Sequence, residues 1–132
     1  MSIDDSKAYS GFAVPDLEAA RKFYGETLGL KVSDVAPGAP LLQLGLNGGE
    51  RATLLYAKPD HEPANYTILN FPVADVDAAV DELTAKGVEF ERYDGFEQDE
   101  KGIARPAEAG QGPTIAWFTD PAGNILAVHE DQ

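Results

Sequence analysis

Apolar and polar positions alternate in two matching patterns along the chain. The first runs Phe12-Ala13-Val14-Pro15-Asp16-Leu17-Glu18-Ala19-Ala20 and the second Phe71-Pro72-Val73-Ala74-Asp75-Val76-Asp77-Ala78-Ala79. Each reads as a strand that enters a helix, with Asp16 and Asp75 at the N-cap, where a carboxylate accepts the free N–H groups of the first turn. Leu17, Ala20, Tyr24 and Leu28, flanked by Phe23, then recur at helical spacing. In the second copy Val76, Ala79, Val80 and Leu83 do the same. Gly29 and Gly87 follow as helix stops.

The remaining apolar runs predict strands. After the first helix these are Leu30–Val35, Leu41–Leu46 and Ala52–Ala57, the last two joined by the turn Asn47-Gly48-Gly49. After the second they are Val88–Tyr93, Thr114–Thr119 and Ile125–His129. Asp120-Pro121-Ala122-Gly123-Asn124 forms the closing turn. Lys58–Ala64 reads as a linker, and Asp94–Pro113 as a long irregular segment rich in glycine and charge. The pattern predicts an α+β fold in a single domain over 1–132, with one βαβββ module over about 7–58 and a second over about 66–130. Side by side, the modules would form one curved, cup-shaped sheet with helices on its outer face. A cup of that kind suits a small molecule.

Strand parity divides the side chains. If Tyr9 faces the cup, so do Gly11 and Ala13, while Phe12 and Val14 face the helices. Phe71 and Val73 fall on the helix side of the second copy. Trp117 and Phe118 are adjacent, so one faces inward and the other outward.

Composition narrows the function classes. The 132 residues carry a formal charge of -13, which argues against nucleic acid, because phosphate binding needs Lys and Arg to release counterions. Such a charge attracts cationic partners and also simply keeps a surface solvated. No apolar run approaches a membrane span, and no basic, apolar leader opens the sequence. There are no cysteines, so disulfides, thiolate metal sites and cysteine nucleophiles are excluded, which fits a cytoplasmic protein.

Val14-Pro15-Asp16-Leu17-Glu18-Ala19-Ala20-Arg21-Lys22-Phe23-Tyr24, followed by Thr27-Leu28-Gly29-Leu30, resembles the entry motif of the vicinal oxygen chelate superfamily. That superfamily includes glyoxalase I, bleomycin and fosfomycin resistance proteins and extradiol dioxygenases. Asp120-Pro121-Ala122-Gly123-Asn124 resembles its closing turn, and the likeness spans nearly the whole chain. The resemblance implies a divalent metal held in the cup by His, Glu or Gln. One such position lies seven residues before each capping Asp, one four residues after the turn glycine, and one in the strand before the linker. Here they fall on Tyr9, Ile68, Ala127 and Leu55. Ile, Leu and Ala offer no donor atom and Tyr alone makes a poor site, so no metal or other cofactor is expected.

The candidate ligand-binding residues are Tyr9, Tyr56, Phe96, Arg105, Trp117 and His129. Tyr and Trp present flat apolar faces with a polar edge, fit for a planar ligand or a cation, although ordinary core packing explains any one aromatic equally well. His129 shares a face with Ala127 and could serve as a base, as could Tyr9. His61 falls in the polar linker. Tyr93–Arg105 reads as a lid hinged at its glycines and anchored by Phe96 or Ile103, or as a solvated loop. Three readings stay open. One is a metal-independent binding protein, a homodimer as the resemblance implies, that sequesters an aromatic or cationic small molecule. Another is a glyoxalase-like lyase or isomerase, or a dioxygenase-like enzyme, with a non-standard site. The third is a structural partner domain whose cup is filled by its own side chains.

Overall fold

The computed structural model describes residues 3–46, 51–95, 97–106 and 112–130, with nothing described for the side chains of residues 51 and 52. The turn Asn47-Gly48-Gly49 and Phe96 lie outside the described residues. The chain divides into two compact units, Met1–His61 and Glu62–Gln132. No helix among the described residues is long and apolar enough to cross a membrane.

In the first unit a 3-10 turn at Ile3–Asp5 precedes β1 (Ser10–Val14). Then come α1 (Leu17–Lys22), β2 (Lys31–Asp34), β3 (Leu41–Leu46) and β4 (Arg51–Ala57). The strand order is β1-β4-β3-β2, with β1 and β4 parallel and the rest antiparallel. Asp16 caps α1 as expected, accepting from Glu18 N–H at 3.0 Å and Ala19 N–H at 3.2 Å. The predicted continuous helix is instead completed by a π-helical turn at Phe23–Thr27, closed by Leu28 N–H donating to Phe23 O. Tyr24 in that turn is fully buried and meets Phe12 of β1 at 5.9 Å, which puts Phe12 on the helix side of the sheet.

Register extends this to the other strands. Phe12 pairs with Leu55, and Leu55 with Leu42, so Val14, Leu42, Leu44, Thr53 and Leu55 form the buried helix side. Ala13, Leu41, Gln43, Leu54 and Tyr56 occupy the opposite face.

In the second unit β5 (Thr67–Pro72) leads to α2 (Val76–Ala85), then β6 (Ile115–Thr119) and β7 (Ile125–His129), with strand order β5-β7-β6. Asp75 caps α2 through Ala78 N–H at 3.1 Å, and the Glu130 carboxylate reaches Val76 N–H. The helix stripe holds, with Val76 and Val80 buried. Glu130 has the strand parity of Leu126 and Val128, so these two, with their β6 partners Phe118 and Ala116, lie under the helix.

The expected strand at Val88–Tyr93 does not form. It is reduced to one antiparallel bridge from Phe90 to Phe118, because a side chain rather than a strand takes up its backbone groups: the Gln98 amide bonds to Tyr93 N–H and Glu91 O. The same rank in the sheet that β2 holds in the first unit is thus filled by single bridges, Phe90 to Phe118 and Ala104 to Ile115.

Candidate functional site

Opposite α2, the second sheet carries one continuous apolar face. Trp117 pairs with Ala127 across β6 and β7, and Ala127 with Asn70 across β7 and β5. His129 lies between Ile115 and Pro72, and Ile125 between Thr119 and Thr67. Ala104, Trp117 and Ala127 form a buried cluster, with Tyr93, Ile115 and Ile125 packed against it. Tyr93 meets Trp117 edge to face at 5.5 Å and 74°. Such a pair adds about 0.5–1.5 kcal/mol beyond its area. Burial, with a smaller effect from Glu91, pushes the Tyr93 hydroxyl above its ordinary pKa.

The small side chains matter as much as the large one. Ala127 and Ala104 flank the indole without filling the space that a Leu or Phe would take. The rim is polar: Asn70 is exposed, and Thr119 and His129 are half-buried. Trp117 itself is only 8% exposed, covered mostly by its own neighbours.

Several expected positions move. Leu55, expected inward, is fully buried on the helix side, because its register partner Phe12 meets Tyr24 there; the open-face positions of β4 are Leu54 and Tyr56. Ile68 is the extra residue of a β-bulge between Thr67 and Leu69, so simple alternation no longer assigns it a side. Tyr9 precedes β1 and is 68% exposed. Tyr56 stands on the open face of the first sheet, exposed. His61 is half-buried. Trp117, Ala127 and His129 do come together on one face, and Phe118 points the other way.

Arg105 does not join that face. Its guanidinium donates to Asp77 of α2 at 2.9 Å and to Asp99 at 3.0 Å, while Lys101 bridges to Asp81 and Asp77. The segment read as a hinged lid or a solvated loop carries ion pairs to the helix. Asp99 Oδ1 also accepts from Lys101 and Ile103 N–H, and Ile103 is the buried anchor.

The tie is pH-dependent in a definite direction. The Arg105 hydrogen bond holds the Asp77 carboxyl below its usual range. For Asp99, burial works the other way, but the Ile103 N–H, Arg105 and the Lys101 N–H together prevail and lower it too. Two depressed carboxylates contribute stability above the unfolded value of about 3.9, lost as pH falls through their lower folded values. Arg105→Ala removes two partly exposed ion pairs and should cost no more than about 2 kcal/mol at pH 7. Urea unfolding should show the gap between wild type and variant closing below about pH 4. A gap constant from pH 7 to 3 would refute this account.

Sequence reasoning missed Tyr93 and Ala104 as parts of the aromatic face. Tyr93 ends an apolar run that alternation assigned to a strand, and Ala104 sits in a charged segment with no periodicity. The parallel–antiparallel order shared by the two units, with one helix on one face of each sheet, is that of a known superfamily. The sequence model of the Glyoxalase/Bleomycin resistance protein/Dioxygenase superfamily matches residues 8–128, and the chain belongs to that superfamily. No curated protein sequence matches the chain. Among solved structures, TnmS3, an antibiotic binding protein from Streptomyces sp. CB03234, is 26% identical with a TM-score of 0.66, covering 97% of this chain and 98% of that one. A glyoxalase/bleomycin resistance protein from the same organism is 27% identical with a TM-score of 0.59, covering 93% and 100%. A putative glyoxalase family protein from Bacillus anthracis, 19% identical with a TM-score of 0.69 over 96% and 97% of the chains, shares the fold.

Proposed function

We propose that this protein binds a planar aromatic small molecule, a cation more tightly than an anion, on the face of the second sheet opposite α2, without a metal ion. The observation that carries the reading is the Trp117–Tyr93 pair standing beside two alanines, with a polar rim of Asn70, Thr119 and His129. An aromatic pair next to small residues suits the flat face of a ring system, and a rim of amide, hydroxyl and imidazole suits its polar edges. The net charge of -13 adds a long-range pull on a cation. The antibiotic-binding relative supports a sequestering role of the same kind for this chain.

Metal independence rests on the residues themselves. Correcting the β4 position from Leu55 to Leu54 or Tyr56 restores no imidazole or carboxylate, and Ala127 is a fully buried methyl. We further infer one domain of two modules that pairs as a homodimer, as the resemblance implies. The lack of cysteine suits a cytoplasmic setting.

Trp117 is the single tryptophan, so its emission reports on this face alone. Titration with proflavine, a planar cation, and with anthraquinone-2-sulfonate, a planar anion, should quench it saturably. Proflavine should bind the tighter of the two, and EDTA should change neither. Trp117→Phe, followed through the dye's own signal, should weaken binding by about tenfold, roughly the worth of one aromatic contact. Light scattering on the same sample should give twice the chain mass. The small exposure of Trp117 favours a second reading, in which the face is a core closed by its own side chains. Failure of both dyes to quench would select it.

A further inference from the structure

Between α2 and β6 the chain passes along the sheet edge without forming a strand, so its backbone groups need other partners. Glu91 N–H donates to Trp117 O at 2.8 Å. Three more of them are met by one side chain. Gln98 Oε1 accepts from Tyr93 N–H at 2.9 Å, and Gln98 Nε2 donates to Glu91 O and to Gly102 O, each at 2.8 Å. A single amide thus spans three backbone groups, using both its donors.

Gln98 is itself firmly held. Its residue bridges to Ala104, and Ala104 exchanges two backbone bonds with Ile115 of β6 at 2.8 and 3.0 Å. The neighbouring Asp99 turn and its Arg105 partner hold the other side. The backbone that Gln98 grips carries the Tyr93 ring, and that ring stands against Trp117.

We propose that Gln98 is a positioning residue for the aromatic face: its amide fixes the backbone at Glu91 and Tyr93 and thereby sets the Tyr93 ring against Trp117. Its effect on ligand affinity rests on the functional reading above; its effect on Trp117 does not. Any substitution that removes the amide frees Tyr93 N–H and Glu91 O to turn to water, and the ring loses its fixed approach to the indole.

The test uses Trp117 emission and acrylamide quenching in the ligand-free protein, with Gln98→Ala, Tyr93→Ala and the double variant. Gln98→Met, which keeps the bulk and removes the hydrogen bonds, stands in if Gln98→Ala does not fold by far-ultraviolet circular dichroism. The expected result is a red-shifted emission and stronger quenching in Gln98→Ala and Gln98→Met. Within the Tyr93→Ala background, removing the amide adds nothing further. Proflavine affinity should fall about three- to tenfold in Gln98→Ala, the worth of one to two net hydrogen bonds.

Unfolding that comes earlier while Trp117 emission and quenching stay at wild type would overturn the proposal, as would shifts that simply add in the double variant. The Trp117 spectra decide the role of Gln98 even if the wild type binds no dye, an outcome that would refute only the ligand reading.

Discussion

Phe118→Ala is expected to cost about 3–5 kcal/mol of folding stability, while Trp117→Phe, one residue away, costs far less and falls instead on ligand affinity. The two side chains leave β6 on opposite faces. Phe118 is fully buried under α2, pairs with Leu126 and meets Phe90 at 5.5 Å. Truncating it removes a large apolar surface and leaves a void that Leu126 and Val128, held by their own strand, cannot close. Against a total stability of about 5–15 kcal/mol, this loss takes about a fifth or more. Trp117→Phe keeps an aromatic ring in place and surrenders part of the indole. Urea midpoints should separate the two variants clearly. A Phe118→Ala loss under about 1 kcal/mol would mean that the helix side of this sheet is loosely packed, contrary to its burial.

The fold was legible because two of its signals are strictly local. An aspartate cap before an apolar stripe and a glycine after it specify a helix whatever lies around them, and Asp16, Asp75, Gly29 and Gly87 delivered both helices near their expected ends. Both glycines adopt positive φ, 75° and 94°, where a side chain would be strained. The apolar runs Leu41–Leu46 and Ile125–His129 likewise marked strands, and both form. The π turn at Phe23–Thr27 left no trace in the periodicity, since Phe23 and Tyr24 are both apolar and either one satisfies the stripe.

The site was legible only in part, for a different reason. Parity put Ala127 and His129 on one face and split Trp117 from Phe118 without saying which of the two joins them; the β6–β7 register decides it by pairing Trp117 with Ala127. It failed at Ile68, where a bulge breaks the count, and at Leu55, where a one-residue error reverses the face. Arg105 carried a plausible ligand-binding charge, yet Asp77 and Asp99 claim it. The sequence separation between those residues hides their contact. Val88–Tyr93 has the composition of a strand, and only Gln98, whose type signals nothing by itself, reveals why it is not one.

The second large effect belongs to the turn that closes the β6–β7 hairpin. Asp120 is 4% exposed and Asn124 2%, an unusual depth for a turn. Asp120 Oδ1 accepts from the N–H groups of Ala122 and Asn124, both at 2.9 Å, and Oδ2 accepts from Asn124 Nδ2 at 2.9 Å. The backbone adds Gly123 N–H to Asp120 O and Asp120 N–H to Asn124 O, each at 3.0 Å. Gly123 has φ 88°, and a Cβ there would lie 3.2 Å from Pro63 Cγ, so the position needs glycine twice over. Asp120→Ala strips three donors, two of them buried, of this acceptor at once and should cost about 3 kcal/mol or more. Asp120→Asn keeps an oxygen for the two backbone N–H groups and sets its amide against that of Asn124, a conflict relieved if the Asn124 amide turns over; it should cost about 1–2 kcal/mol. Because the turn fixes the β6–β7 register, the alanine variant should also loosen the pairing of Trp117 with Ala127 and weaken dye binding along with stability. Equal urea midpoints for Asp120→Ala and wild type would show that these bonds are formed as readily with water, and that the hairpin is held by its apolar faces alone.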